Sequence, residues 1–353
     1  MAELTLAAAL RDANADHPEV RSVAIRSLAT ALLDELGMRP PAWWDLIEHA
    51  QRDAVAAALE LACDDAAPQN AALARVGLAE LAAPIAHDRA LEALAADRDD
   101  DAAMFSRECG VISLSLLGAA ARSFIDAPVS AASPAERERA VALVGQVTAE
   151  LRELLADARA DVRFQAGPAL VEVGGEAVEP ELLAALERET HEQVRANLIA
   201  AISLLDPPSP AACDVLAAVL DSDEGKGQIG WEAAMTLTAA RRPEGAPRLI
   251  EGLRRRETRD RALEAIAVLG SSAPPEAITA VRRYSTGFMV PIFTRVRAAY
   301  ALARIDPERG LRLLDRLAKH PRPAVREAVA EARAALEQLA DPAPTRDDAY
   351  RRD

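Results

Sequence analysis

One helical pattern of apolar positions is written nine times along this chain. Its first position falls at Val20, Asn70, Cys109, Val162, Val194, Ile229, Thr258, Thr294 and Val325. Four residues on stand Ala24, Ala74, Ser113, Ala166, Leu198, Ala233, Ala262, Ala298 and Val329. Eight residues on stand Leu28, Leu78, Leu117, Leu170, Ile202, Leu237, Ile266 and Leu302, with Arg333 in the last copy. In the clearest copy Val194, Leu198, Ala201, Ile202 and Leu205 fill one face of a helix with 3.6 residues per turn. From Val162 onward the first positions are 32, 35, 29, 36 and 31 residues apart, and a second amphipathic segment precedes each copy. The pattern therefore predicts nine pairs, helix A then helix B, at roughly 3–36, 41–83, 86–121, 134–174, 178–205, 209–240, 244–270, 273–305 and 307–339, with overlong A helices in the second and fourth. A repeat of this size implies an all-α fold, an α-α superhelix or α-solenoid of about nine antiparallel pairs.

The organisation expected is an irregular, acidic set of repeats over 1–125, a loop at 126–133, a more regular set over 134–340 and a flexible tail at 341–353. In the last helix Arg333 replaces the apolar residue, and Glu327, Glu331 and Glu337 are expected to coat an outward face, as befits a terminal cap.

Composition supports helices and little else. Half the 353 residues are apolar but only 3% are aromatic, and alanine, the best helix former, dominates. The alanine and arginine bias is that of a high-GC bacterial sequence. Cys63, Cys109 and Cys213 are scattered and fall in predicted helices, as in a reducing cytoplasm. The first residues lack a basic, cleavable leader, and the longest uncharged run, 109–121, is short for a bilayer span of ~18 residues, so no membrane is implied. The net charge of −15 conceals an asymmetry: residues 241–353 carry 23 Lys+Arg against 16 Asp+Glu, and the rest of the chain is strongly acidic. Such polarity bears on partner choice, and on salt-sensitive self-association as an alternative to a monomer.

Arginine usually follows the first position, in Val20-Arg21, Val162-Arg163, Val194-Arg195, Thr258-Arg259, Thr294-Arg295 and Val325-Arg326. Acidic or proline-bearing turns often precede it, as in Asp157-Ala-Arg-Ala-Asp161-Val-Arg and His320-Pro-Arg-Pro-Ala-Val-Arg. The chain in this respect resembles the HEAT repeat, especially the HEAT-like repeats of phycobilisome-lyase type, over about residues 3–339. The resemblance implies a ladder in which Asp157 and Asp161 partner Arg163 or Arg195, broken where Ala71, Gly110 and Gly230 stand in place of arginine. It also implies B helices on a concave, partner-binding side, and a protein that is a scaffold more often than an enzyme.

No catalytic constellation emerges. A hydroxylase-like iron centre needs several His-Glu pairs, and this chain has His191-Glu192 alone in that order among five histidines, better read as a helix start; no metal or cofactor is implied. A lyase-like chromophore cleft needs aromatics that are scarce here. Gly225-Lys226-Gly227-Gln228-Ile229-Gly230 matches GxGxxG by letters, but no strand precedes it and Asp221, Asp223 and Glu224 flank it. Nucleic acid would be repelled by residues 1–240. Only a basic patch of Arg254, Arg255, Arg256, Arg259, Arg282 and Arg283 offers phosphate contacts, and alternating Arg and Glu reads first as solvated surface.

The reading that remains is a non-enzymatic scaffold holding a protein or peptide on its concave face and turn edge. Three A-to-B turns depart from the tight pattern and carry Met104 and Phe105, Trp231, and Phe288 and Met289, candidates for contact. Pro40-Pro41-Ala-Trp43-Trp44 is a further candidate. It is expected to begin a helix, and since neighbours on a helix point about 100° apart, one tryptophan packs and the other is partly exposed.

Overall fold

The computed structural model describes residues 4–97, 100–127, 133–205, 208–222 and 227–340. Among them there is no strand, and nine helix pairs follow one another. Five lie in one compact unit, Met1–Leu205: α1 (Leu6–Asp12) with α2 (Pro18–Glu35), α3 (Arg52–Ala62) with α4 (Pro68–Glu80), α5 (Ala86–Leu94) with α6 (Asp101–Asp126), α7 (Pro134–Leu154) with α8 (Ala160–Gly174), and α9 (Glu179–Arg188) with α10 (Glu192–Ile202). Four lie in the second, Asp206–Asp353: α11 (Pro210–Asp221) with α12 (Gln228–Ala239), α13 (Ala246–Gly252) with α14 (Arg259–Leu269), α15 (Pro275–Thr286) with α16 (Ile292–Ile305), and α17 (Pro307–Leu317) with α18 (Pro323–Ala340). The division falls after α10 and not at 126–133, because α6 and α7 pack directly on each other across that segment.

Local chemistry sets the ends. Proline, which lacks the N–H that a first turn leaves unused, opens α2, α4, α7, α11, α15, α17 and α18. Thr5, Asp100, Ser133, Ser209 and Asp306 cap helices through their side chains, and Ser133 with Glu136 forms a reciprocal capping box. Gly175 and Gly270, at φ +60 and +55, stop α8 and α14 in a conformation that a β-carbon disfavours. The second A helix is shorter than expected. Pro41 starts no α-helix; residues 36–51 run as an irregular connection with one 3-10 turn at Trp44–Leu46.

Each unit is a stack in the solenoid manner. In the first, the B helices α2, α4, α6, α8 and α10 touch in succession; in the second, α12, α14, α16 and α18 do. The residue four after the first position is 2% exposed or less in all nine copies, and so is every apolar residue eight after it. Small side chains at the first of these let backbones approach closely. The first position itself is less uniform: Val20 is 41% exposed because no earlier B helix covers α2, and Thr258 and Thr294 are half-buried.

Helix α6, with 26 residues, is long and apolar enough to cross a membrane by length and composition, which the uncharged run alone did not indicate. Here it is the hub of the first unit, packed by α4, α5, α7 and α8 and carrying a buried Arg107.

Candidate partner groove

The charged ladder exists in the first unit, with different partners from those expected. Arg21 reaches forward to Asp65 in the turn of the second pair (2.6 Å), and Arg163 to Glu189 in the turn of the fifth (2.7 Å). Each acid stands five residues before the first position of its own copy, and accepts the N–H two residues on: Asp65 from Ala67, Asp157 from Arg159, Glu189 from His191. The side chain of Asp157 pairs with Arg159, and that of Asp161 with Arg107, so neither meets Arg163 or Arg195. The cause is geometric: the guanidinium already donates to the backbone of its own turn, six residues back, and only its far edge is left to face the next pair. Arg21 donates to the Ala15 carbonyl, Arg163 to Asp157, Arg195 to Glu189, Arg259 to Leu253 and Arg326 to His320 in this way.

Sequence reasoning missed Arg107. It is 3% exposed and bonded to Asp161 at 2.8 Å and to the Ala96 carbonyl, bridging the third and fourth pairs where Gly110 leaves no ladder arginine. Two ladder positions end otherwise. Arg259 lies over the Tyr284 ring at 5.0 Å, and the buried Nε of Arg295 has no acceptor among the described residues, where the corresponding position of the ninth pair is His320. These bonds hold helices in place. The paired arginines, against the opposing effect of burial, keep Asp65 and Glu189 ionised, each with its pKa lowered to about 2 chiefly by the arginine bond.

The aromatic candidates separate by burial. Trp231 is only 6% exposed and fills the space beside Gly252, so it plugs the stack and presents no free face. Trp43 is 8% exposed and stacks on Phe124 at 5.2 Å, while Trp44 is half-buried beneath Arg52, so one packs and one is partly open although the expected helix does not form. Phe105 lies inside α6, not in a turn, and is half-buried. Phe288 and Met289 alone stand clear, at 98% and 93% exposed, on the turn between α15 and α16. Gly225 and Lys226 of the glycine-rich segment lie outside the described residues; Gly227 precedes α12. His191 precedes α10 and Glu192 lies in its first turn. Among the described residues no three His, Cys, Asp or Glu side chains come together as metal ligands.

One largely apolar hollow lies on the B-helix face of the second unit. It encloses about 580 Å³ across α14, α16 and α18. Its floor is Leu263, Val296 and Tyr300, with Phe293 half-exposed at one end. The far wall is an alanine stripe on α18, Ala324, Ala328, Ala332 and Ala335, whose short side chains fail to fill the gap beside α16. Glu264 rises from α14, and Glu327 and Glu331 from α18. The last two were expected on a plain outward coat; the alanines between them turn that face into a wall. Arg297, also at the rim, is held by Asp260. A smaller hollow of about 330 Å³ on the B-helix face of the first unit is lined by Ile112, Leu116, Pro168 and Leu204.

The basic-patch residues are dispersed. Arg254, Arg255 and Arg256 are exposed at the turn before α14, Arg282 and Arg283 are exposed on α15, and Arg259 is committed to its own turn.

No protein-family model matches the chain, and no curated protein matches it.

Proposed function

We propose that this chain is a non-enzymatic, HEAT-like repeat adaptor of the cytoplasm. It holds a protein or peptide on the B-helix face and the adjoining turn of its second unit. The observation that carries the reading is the apolar groove across α14, α16 and α18, whose lining includes Phe293 near the start of α16, the helix that follows the exposed Phe288 and Met289. Concave apolar surface with a bare aromatic nearby is what peptide-binding grooves use. Three buried, unbridged cysteines fit a reducing compartment.

A photoreactive phenylalanine analogue placed at Ala328 in the native cell tests it. Discrete protein adducts are expected there and not at the exposed control position Glu153. The adaptor reading fails if position 328 gives no protein adduct, or the same adducts as the control.

A second reading has an observation of its own. Arg254, Arg255, Arg256, Arg282 and Arg283 are exposed and make no ion pair among the described residues, as a polyanion site requires. Heparin or duplex DNA would then bind the whole protein with an affinity falling steeply with salt; undetectable or salt-independent binding ends this alternative.

A further inference from the structure

We propose that the groove of the second unit selects a cationic peptide segment, one that sets lysines or arginines beside a bulky apolar anchor. The inference rests on the adaptor reading and adds the chemistry of the partner. Three carboxylates, Glu264, Glu327 and Glu331, stand on opposite walls of an apolar floor, and none has an ion-pair partner among the described residues. Glu327 and Glu331 are four apart on one helix, a spacing at which like charges repel. Arg297, the one cation among the described lining residues, is matched by Asp260.

This acidity is local. It lies within residues 241–353, where Lys and Arg outnumber Asp and Glu by 23 to 16, so it does not follow from the general charge of the surroundings. A segment with an apolar side chain against Val296, Tyr300 and Phe293 would bring its cations between the two carboxylate walls. Such rim charges select the sign of a partner and quicken its arrival more than they tighten the complex.

The probe is a short labelled peptide with Leu, Trp and Lys at helical spacing, titrated by fluorescence anisotropy against the full chain. Its counterpart carries Glu at every Lys. Expected is binding of the basic probe alone, weakened by about 500 mM salt. The pair Glu327→Gln and Glu331→Gln should lower affinity about tenfold, and Ala328→Trp, which fills the hollow, should abolish binding. The equal charge change Asp53→Asn with Asp88→Asn, in the other unit, should leave affinity unaltered.

Equal binding of both peptides, no binding of the basic one, or indifference to the Glu→Gln pair overturns the proposal. So do two results that give the groove another occupant. One is a dimer in light scattering that Ala328→Trp dissociates. The other is probe binding that appears only after Tyr350→Ser, Arg351→Ser and Arg352→Ser. Adducts at position 328 without preference for the basic probe would leave the adaptor standing and remove the cationic partner alone.

Discussion

Arg163 and Glu189 tie the fourth helix pair to the fifth. The arginine Nε lies 2.7 Å from one carboxylate oxygen and Nη2 3.1 Å from the other, in a two-point bond whose acid side chain is 5% exposed. The same carboxylate accepts the backbone N–H groups of Thr190 and His191. One side chain thus shapes its own turn and fastens the preceding pair.

Glu189→Gln should destabilise the first unit by about 3 kcal/mol, the order of free energy that accompanies a pKa lowered from 4.5 to about 2. The folded state holds its proton less tightly than the unfolded chain, so this stability is complete above about pH 5 and disappears as pH falls toward 2. Asp65 acts in the same sense. Urea midpoints measured from pH 7 to 2 should fall through this window, and less steeply in Glu189→Gln.

His320 occupies in the ninth pair the place that Asp65, Asp157 and Glu189 hold in theirs, and its Nδ1 accepts the N–H of Arg322 as they accept theirs. Replacing it by Asp should keep that turn and give the unpaired Arg295 an acceptor. His320→Asp is expected to stabilise the second unit by about 1 kcal/mol, read as a raised thermal midpoint. An unchanged or lowered midpoint would show that Arg295 does not follow the ladder.

Two glycines separate contact from propensity. A β-carbon at Gly310 would meet the backbone nitrogen of Ala303 at 2.1 Å, so Gly310→Ala should force α17 from α16 and cost about 2–4 kcal/mol. At Gly145, exposed in the middle of α7, a β-carbon meets nothing within 4 Å, and Gly145→Ala should stabilise by about 0.5–1 kcal/mol. Denaturant midpoints of the two variants should move in opposite directions.

Trp231 and Phe288 make the corresponding contrast among aromatics. Trp231→Ala removes a buried ring and should cost about 3–5 kcal/mol in unfolding free energy. Phe288→Ala should change stability by less than about 0.5 kcal/mol and reduce the protein adducts formed at position 328.

The nine pairs were legible because helical periodicity is a local property: offsets of four and eight fix which face is buried wherever a neighbour exists to bury it. The exceptions have physical causes. Val20 has no earlier B helix beside it among the described residues, and the loop at 36–51 replaces the helix start that Pro40-Pro41 implied, because Ala42 and Trp43 pack into the core of the first unit. Ladder partners were not legible, since Asp157, Asp161 and Glu189 are all candidate acids for Arg163 in the sequence. The groove was hidden for a related reason. Alanines at 324, 328, 332 and 335 read as ordinary helix, and only the distance between α16 and α18 turns them into one wall of a hollow.

The forward reach of Arg21 and Arg163 bears on how such a chain can lengthen. The segment that runs from the turn of the fifth pair carries Glu189 for the arginine behind it and its own Arg195 at the position that reaches forward. Duplicating the fifth module whole keeps Arg163 facing an acid, whereas a breakpoint between Arg163 and Glu189 that discards either strands the other's charge. Gene rearrangements that respect these turns therefore yield foldable descendants, and the register of the turns, more than that of the helices, marks the inheritable block.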